Sequence, residues 1–132
     1  MKSLLIIFMA LFFSLAAFAE KHYICYNCTT NKKLQICICF ENNNAIWIKY
    51  KGQHDSIPLF FVKEITPNPG YAAYEQIYTE KYKGKVNGTY LLSHSGIYDD
   101  VVYTRKKDGK KFNFTINFDL TDGGGYLKTP CF

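Results

Sequence analysis

Residues 101–120 read VVYTRKKDGKKFNFTINFDL, and the Asp108-Gly109 pair at their centre is one favoured in two-residue type I′ turns between antiparallel strands. Setting Lys107 opposite Lys110 brings Arg105 against Phe112, Tyr103 against Phe114 and Val101 against Ile116. Alternation along the second arm puts Phe112, Phe114, Ile116 and Phe118 on one apolar face, with Asn113, Thr115 and Asn117 outward. The two arms, read separately, name the same inward face. A hairpin of half-buried strands over 101–107 and 110–120 is therefore expected.

The same alternation recurs upstream. In residues 34–40, Ile36, Ile38 and Phe40 share one face while Cys37 and Cys39 share the other. Asn42-Asn43-Asn44 follows, and Asn tolerates positive φ, so a turn is expected there. A second strand then runs over 45–51, with Ile46, Ile48 and Tyr50 on one face and Trp47, Lys49 and Lys51 on the other. Residues 57–65 read as a third strand with Phe60-Phe61-Val62 as its most buried part. It ends at Thr66-Pro67-Asn68-Pro69-Gly70, where two prolines and a glycine stop a ladder. Residues 71–82 fit a strand over their second half, with a short helix as the alternative. A further strand is expected over 89–95, after a turn within 84–88. The sum is an all-β chain of six to eight antiparallel strands in a sandwich or small barrel.

The first 19 residues have the make-up of an export signal. Lys2 supplies the positive start, residues 4–13 (LLIIFMALFF) the apolar stretch, and Ala17-Phe18-Ala19 the small-x-small cleavage pattern before Glu20. The apolar run is shorter than the roughly 20 residues a membrane-spanning helix needs. Residues 20–132 are thus expected as one β-rich domain, periplasmic or secreted, with no membrane insertion after cleavage. Without Lys2 the formal charge falls from +5 to +4. The basic residues are scattered apart from the Arg105 to Lys111 cluster, so nucleic acid is not the expected partner. All eleven tyrosines follow the signal, a residue that buries area while its hydroxyl stays wet and so suits half-buried sheets and contact surfaces.

Cys25, Cys28, Cys37, Cys39 and Cys131 also follow the signal, and in an oxidising compartment they are disulfide candidates, with the odd count leaving one over. Cys37 and Cys39, two apart on a strand, have Cα atoms about 6.5–7 Å from one another. That is at or beyond the usual disulfide reach, so each is expected to bond elsewhere, to Cys25, Cys28 or Cys131. A bond from this strand to Cys131 closes a loop of roughly 95 residues, for which chain entropy gives about 4–5 kcal/mol. Cys25-Tyr26-Asn27-Cys28 lacks the βαβ context of a redox pair. As a zinc set with Cys37 and Cys39, its second half is C-x-C rather than C-x-x-C. Structural stapling is the expectation, with no metal and no cofactor.

Catalytic patterns are sparse. His22, His54 and His94 are far apart in sequence; Ser93 and His94, adjacent on a strand, point to opposite faces and cannot act on one another. Asp99 and Asp100 diverge in the same way, Asp99 inward and Asp100 solvated. Asp119, Thr121 and Asp122 before Gly123-Gly124-Gly125 read as a flexible turn rather than a calcium loop. Asn27, Asn87 and Asn113 begin N-x-Thr sequons, relevant only where the source glycosylates proteins. Contact-type residues are plainer: Trp47 on one face with Lys49 and Lys51, the 94–98 segment with Tyr98, and Arg105 with Lys106.

Ser95-Gly96-Ile97-Tyr98, followed by Tyr103-Thr104-Arg105-Lys106, resembles the small exported bacterial inhibitors of lysozyme, which are disulfide-bonded antiparallel β-barrels. The resemblance implies that a Ser-Gly loop enters the hydrolase cleft, which assigns Ser95, Gly96 and Tyr98 to the contact, with Lys106 in support. The expected function is an exported binding protein, not an enzyme: an inhibitor or immunity protein against a cell-wall hydrolase or secreted toxin. Its contacts are Ser95, Gly96, Tyr98, Arg105, Lys106 and Trp47. The alternatives are a small envelope hydrolase using His94 with Asp99 or Asp100, and an envelope structural or ligand-binding module.

Overall fold

Short turns dictate the topology. Asn42 and Asn43 both take positive φ (51° and 65°), and Lys83-Gly84 do the same (51° and 76°), which is the type I′ signature that joins antiparallel neighbours. The computed structural model describes residues 20–66, 73–95, 98–120 and 126–132. The expected signal, the 67–70 turn, the 96–97 tip and the 121–125 loop lie outside these. Eight strands follow in order: β1 (Lys21–Cys28), β2 (Gln35–Glu41), β3 (Asn44–Tyr50), β4 (Ile57–Ile65), β5 (Tyr74–Tyr82), β6 (Lys85–Ser95), β7 (Tyr98–Arg105) and β8 (Lys111–Ile116). Each pairs antiparallel with the next, and β1 pairs with β8 through Tyr26↔Ile116, Asn27↔Thr115 and Cys28↔Phe114, closing an up-and-down barrel. No helix occurs among the described residues, and of the ambiguous 71–82 stretch β5 makes Tyr74–Tyr82 strand, residues 71–72 lying outside the described residues.

The barrel is filled by Ile24, Tyr26, Ile36, Ile38, Phe40, Ile48, Leu59, Tyr78, Tyr90, Leu92, Val101 and Phe114. In β2 both faces are covered. Ile36, Ile38 and Phe40 point inward, and Cys37 and Cys39 are equally buried on the outer face. The C-terminal segment lies against this face, bridging β1 at Tyr23↔Leu127, tied down by the Cys25–Cys131 disulfide and touching Cys37, while Cys39 sits between Tyr23 and Trp47 on the neighbouring strands. Closure of a loop with a sequence separation of 106 restricts the unfolded chain far more than the folded one.

Several expectations need correction. The β7–β8 register is Val101↔Phe114 and Tyr103↔Phe112, two residues from the pairing that a two-residue turn requires. The connection is longer: Arg105 N–H donates to Lys110 O (2.9 Å) and Gly109 N–H to Arg105 O (2.8 Å). Asp108 braces it by accepting two bonds from the Arg105 guanidinium, at 3.0 and 2.7 Å. A shift of two preserves the facing, so Phe112 and Phe114 still turn inward. Strand β8 ends at Ile116, leaving Phe118 52% exposed, while Asn117 is buried.

Phe60, Phe61 and Val62 are not buried: they are 46, 55 and 52% exposed. Strand β4 pairs with β3 only at Trp47↔Pro58 and Ile48↔Ile57, and its ladder to β5 shifts between Phe61 and Lys63. Along β4 only Leu59 is buried in the core, with Ile57 packed partly against it.

The cysteines yield one disulfide, Cys25–Cys131, with Cys28, Cys37 and Cys39 as buried free thiols. Neither Cys37 nor Cys39 bonds elsewhere. Cys25 and Cys28 lie three apart in an extended strand and so face opposite sides, Cys28 into the core and Cys25 under the C-terminal segment. Cys37, opposite Cys25 in register, stays a thiol whose Sγ accepts the Cys131 N–H at 3.5 Å.

Candidate functional site

The barrel has two unlike ends, and strand β7 runs from one to the other. Its eight residues span about 23 Å at ~3.3 Å per residue. Ser95 and Tyr98 pair at the start of β7, whereas Arg105 pairs with Gly88 at its finish, with Lys106 just beyond. Ser95 and Tyr98 therefore sit at one end and Arg105 and Lys106 at the other. Trp47 lies elsewhere again, half-buried on the barrel wall, its ring 5.7 Å from Tyr23. Of the six expected contact residues, the five that the structure describes do not share one patch, and Gly96 lies outside the described residues.

Beneath the Ser95–Tyr98 pair, the first end is braced. His94 and Asp99 are direct cross-strand partners, and His94 Nδ1 lies 2.8 Å from Asp99 Oδ1 with both side chains nearly buried. The imidazole is flanked by Tyr74 (ring centroids 4.7 Å apart) and Phe40 (5.9 Å, edge-on). Phe40 in turn stacks on His22 at 5.2 Å, and His22 meets Tyr126 at 4.3 Å. Burial pulls the His22 pKa below the ordinary imidazole value against the opposing pull of Asp99 and Glu20. His94 Nε2 is buried and has no hydrogen-bond partner among the described residues. Alternation along β7 foretold the inward turn of Asp99 and the solvent exposure of Asp100. The hydrogen-bonded pair itself depends on the β6–β7 register, which the sequence does not state.

At the opposite end the barrel opens into a cavity of about 630 Å³, bordered by Tyr50, Tyr82, Tyr103, Phe112, Glu80 and Arg105 among others. At its base the Glu80 carboxyl is 5% exposed. The Tyr90 hydroxyl donates to Glu80 Oε2 and the Tyr103 hydroxyl to Oε1, each at 2.7 Å. The Tyr50 and Tyr90 hydroxyls are 2.6 Å apart. Because the Tyr90 proton is committed to Glu80, Tyr50 must be the donor of that pair. Burial drives the pKa of all three phenols well above the ordinary tyrosine value, so they act as donors at physiological pH. Gly88 makes the arrangement sterically feasible. A Cβ there would overlap the Tyr103 ring and stand 2.6 Å from its hydroxyl oxygen.

Sequence reading missed this cavity. Glu80 and the tyrosines come from β3, β5, β6 and β7, and only the turn of Tyr78, Glu80 and Tyr82 to one face hinted at it. Among the described residues no cluster of three or more His, Cys, Asp or Glu side chains is arranged to hold a metal ion. Comparison with protein-family models, curated proteins and solved structures finds no match to this chain.

Proposed function

We propose that this chain is an exported binding protein that docks on another protein, a cell-wall hydrolase or a secreted toxin, as its inhibitor or immunity protein. The carrying observation is the His94–Asp99 pair under the β6–β7 turn. Strand ends fixed by a buried hydrogen bond and ring packing lose little conformational freedom when they dock on a partner, and such preorganisation is what binding rewards. The Ser95–Tyr98 resemblance to lysozyme inhibitors concerns this same tip. The test is affinity capture on the immobilised mature protein, followed by titration of the captured hydrolase with wild type and with Tyr98→Ala. A one-to-one complex that Tyr98→Ala weakens, at unchanged thermal stability, supports the reading. A complex indifferent to that change, or none at all, removes it.

A hydrolase reading has one observation in its favour. Asp99 holds His94 by Nδ1 and leaves Nε2 without a partner among the described residues, which is how a carboxylate orients a general base. On that reading His94→Gln abolishes turnover of cell-wall substrate while leaving partner capture intact. An unchanged His94→Gln variant dismisses it.

A further inference from the structure

We propose that the cavity at the Tyr50–Tyr103 end binds a small organic cation, an alkylammonium or guanidinium head group, with Glu80 as its counter-ion. This site lies at the far end of the barrel from the β6–β7 tip and stands or falls independently of it.

The argument starts from charge. The Arg105 guanidinium at the cavity rim is matched by Asp108, and Asp55, exposed to solvent, has His54 Nδ1 at 3.1 Å. Glu80 is the exception. It is almost wholly buried, and no Lys, Arg or His forms an ion pair with it among the described residues. Two phenols donate to its oxygens, which leaves each carboxylate oxygen a further lone pair for an incoming N–H or a close cationic methyl. A buried carboxylate held by neutral donors at the floor of an open cavity is the complement of a cation.

The walls fit the same guest. Tyr50, Tyr82, Tyr103 and Phe112 surround the opening, and ring faces attract cations through their quadrupole, most strongly where water is excluded. Rings at this end already carry positive groups: Arg105 stands 5.4 Å and Lys110 5.2 Å from the Phe112 centroid, and Lys83 stands 5.4 Å from that of Tyr82. The Tyr103 ring is backed by Tyr90 at 4.6 Å, so its position does not depend on a guest. The volume, about 630 Å³, lies within the range of small-molecule sites, roughly 300–1,000 Å³. An anionic guest would meet Glu80 directly, and a purely apolar one would leave its remaining lone pairs dry.

Choline and agmatine are the cationic probes, and 3,3-dimethylbutan-1-ol is the neutral isostere of choline. Each is titrated into the purified protein while backbone amide shifts are recorded. The expected result is saturable movement of residues around Glu80, Asn87 and Tyr103 with at least one cation. The alcohol should bind at least about tenfold more weakly, and Glu80→Gln should lose a comparable factor. Should Glu80→Gln fail to fold, the comparison of cation with isostere on the wild type decides the matter alone, and Tyr82→Leu, altering a half-exposed wall residue, supplies the variant arm. Equal binding of choline and its isostere, binding unaffected by Glu80→Gln, or no binding by either cation at tens of millimolar overturns the proposal.

Discussion

Removing the Cys25–Cys131 bond should be the most damaging conservative change to this barrel. The bond fastens the C-terminal segment over the outer face of β1 and β2. For a sequence separation of 106, the chain-entropy relation gives about 4.8 kcal/mol at 25 °C. The Tyr23–Leu127 backbone pair, with bonds of 2.9 and 3.0 Å, does not require the sulfurs. Part of the segment's docking therefore survives, and we expect a loss of about 3–5 kcal/mol. One complication is Cys37, which sits opposite Cys25 and against the Cys131 backbone; a single Cys131→Ser change would invite a substitute Cys25–Cys37 bond. The informative comparison is therefore Cys37→Ser against Cys37→Ser/Cys131→Ser, both unfolded in urea and followed by far-UV circular dichroism. With an m-value of about 2 kcal/mol/M, the midpoint should fall by about 2 M. A fall corresponding to less than about 1 kcal/mol would refute the reasoning.

Other expectations follow from the two ends. Gly88→Ala should destabilise by about 1–3 kcal/mol, because the new methyl displaces the Tyr103 ring; urea unfolding measures it, and Tyr103→Leu in the same chain should recover part of the loss. Tyr103→Phe deletes one of the two phenol donors to Glu80 and should cost about 1–2 kcal/mol in the same assay. His22, whose folded pKa lies below its unfolded value of 6.5, binds its proton more readily when unfolded. Its contribution to stability is present above that value and lost as pH falls below it. Thermal melts at pH 7.5 and 5.5 should show a smaller drop for His22→Phe than for wild type. Alkylation in denaturant without reductant should label three cysteines and leave Cys25 and Cys131 unmodified; labelling of one or five contradicts the pairing.

The sequence told most where one face of a strand meets water. Residues 101–116 announced their hairpin because Asn113 and Thr115 alternate with Phe112 and Phe114, and a register error of two residues left that facing intact. Strand β1 escaped notice because Ile24, Cys25 and Tyr26 are buried on both sides, inward in the core and outward under the C-terminal segment, which erases alternation. Phe60-Phe61-Val62 misled in the reverse direction. A continuous apolar run reads as a buried strand, but burial needs cover on both faces, and along β4 only Leu59 has it while Phe60, Phe61 and Val62 remain exposed. The disulfide pairing was not legible: spacing left Cys25, Cys28 and Cys131 open as partners for Cys37 and Cys39, and only the extended course of β1, which turns Cys25 outward and Cys28 into the core, singles out Cys25–Cys131. The Glu80 cavity was beyond reach for a different reason. It is assembled from four strands whose mutual registers rest on bulges, such as the shift between Glu80 and Lys81, that leave no mark in composition or spacing.

The proposed role turns on whether the β6–β7 tip engages a hydrolase. The most direct measurement adds a protein of residues 20–132 stepwise to a lysozyme-type enzyme clearing a cell-wall suspension, alongside a Ser95→Arg/Tyr98→Ala variant of equal melting temperature. The account predicts that clearing stops near one equivalent of wild type and continues with the variant. Undiminished clearing at many equivalents of wild type, or equal inhibition by the variant, would contradict it.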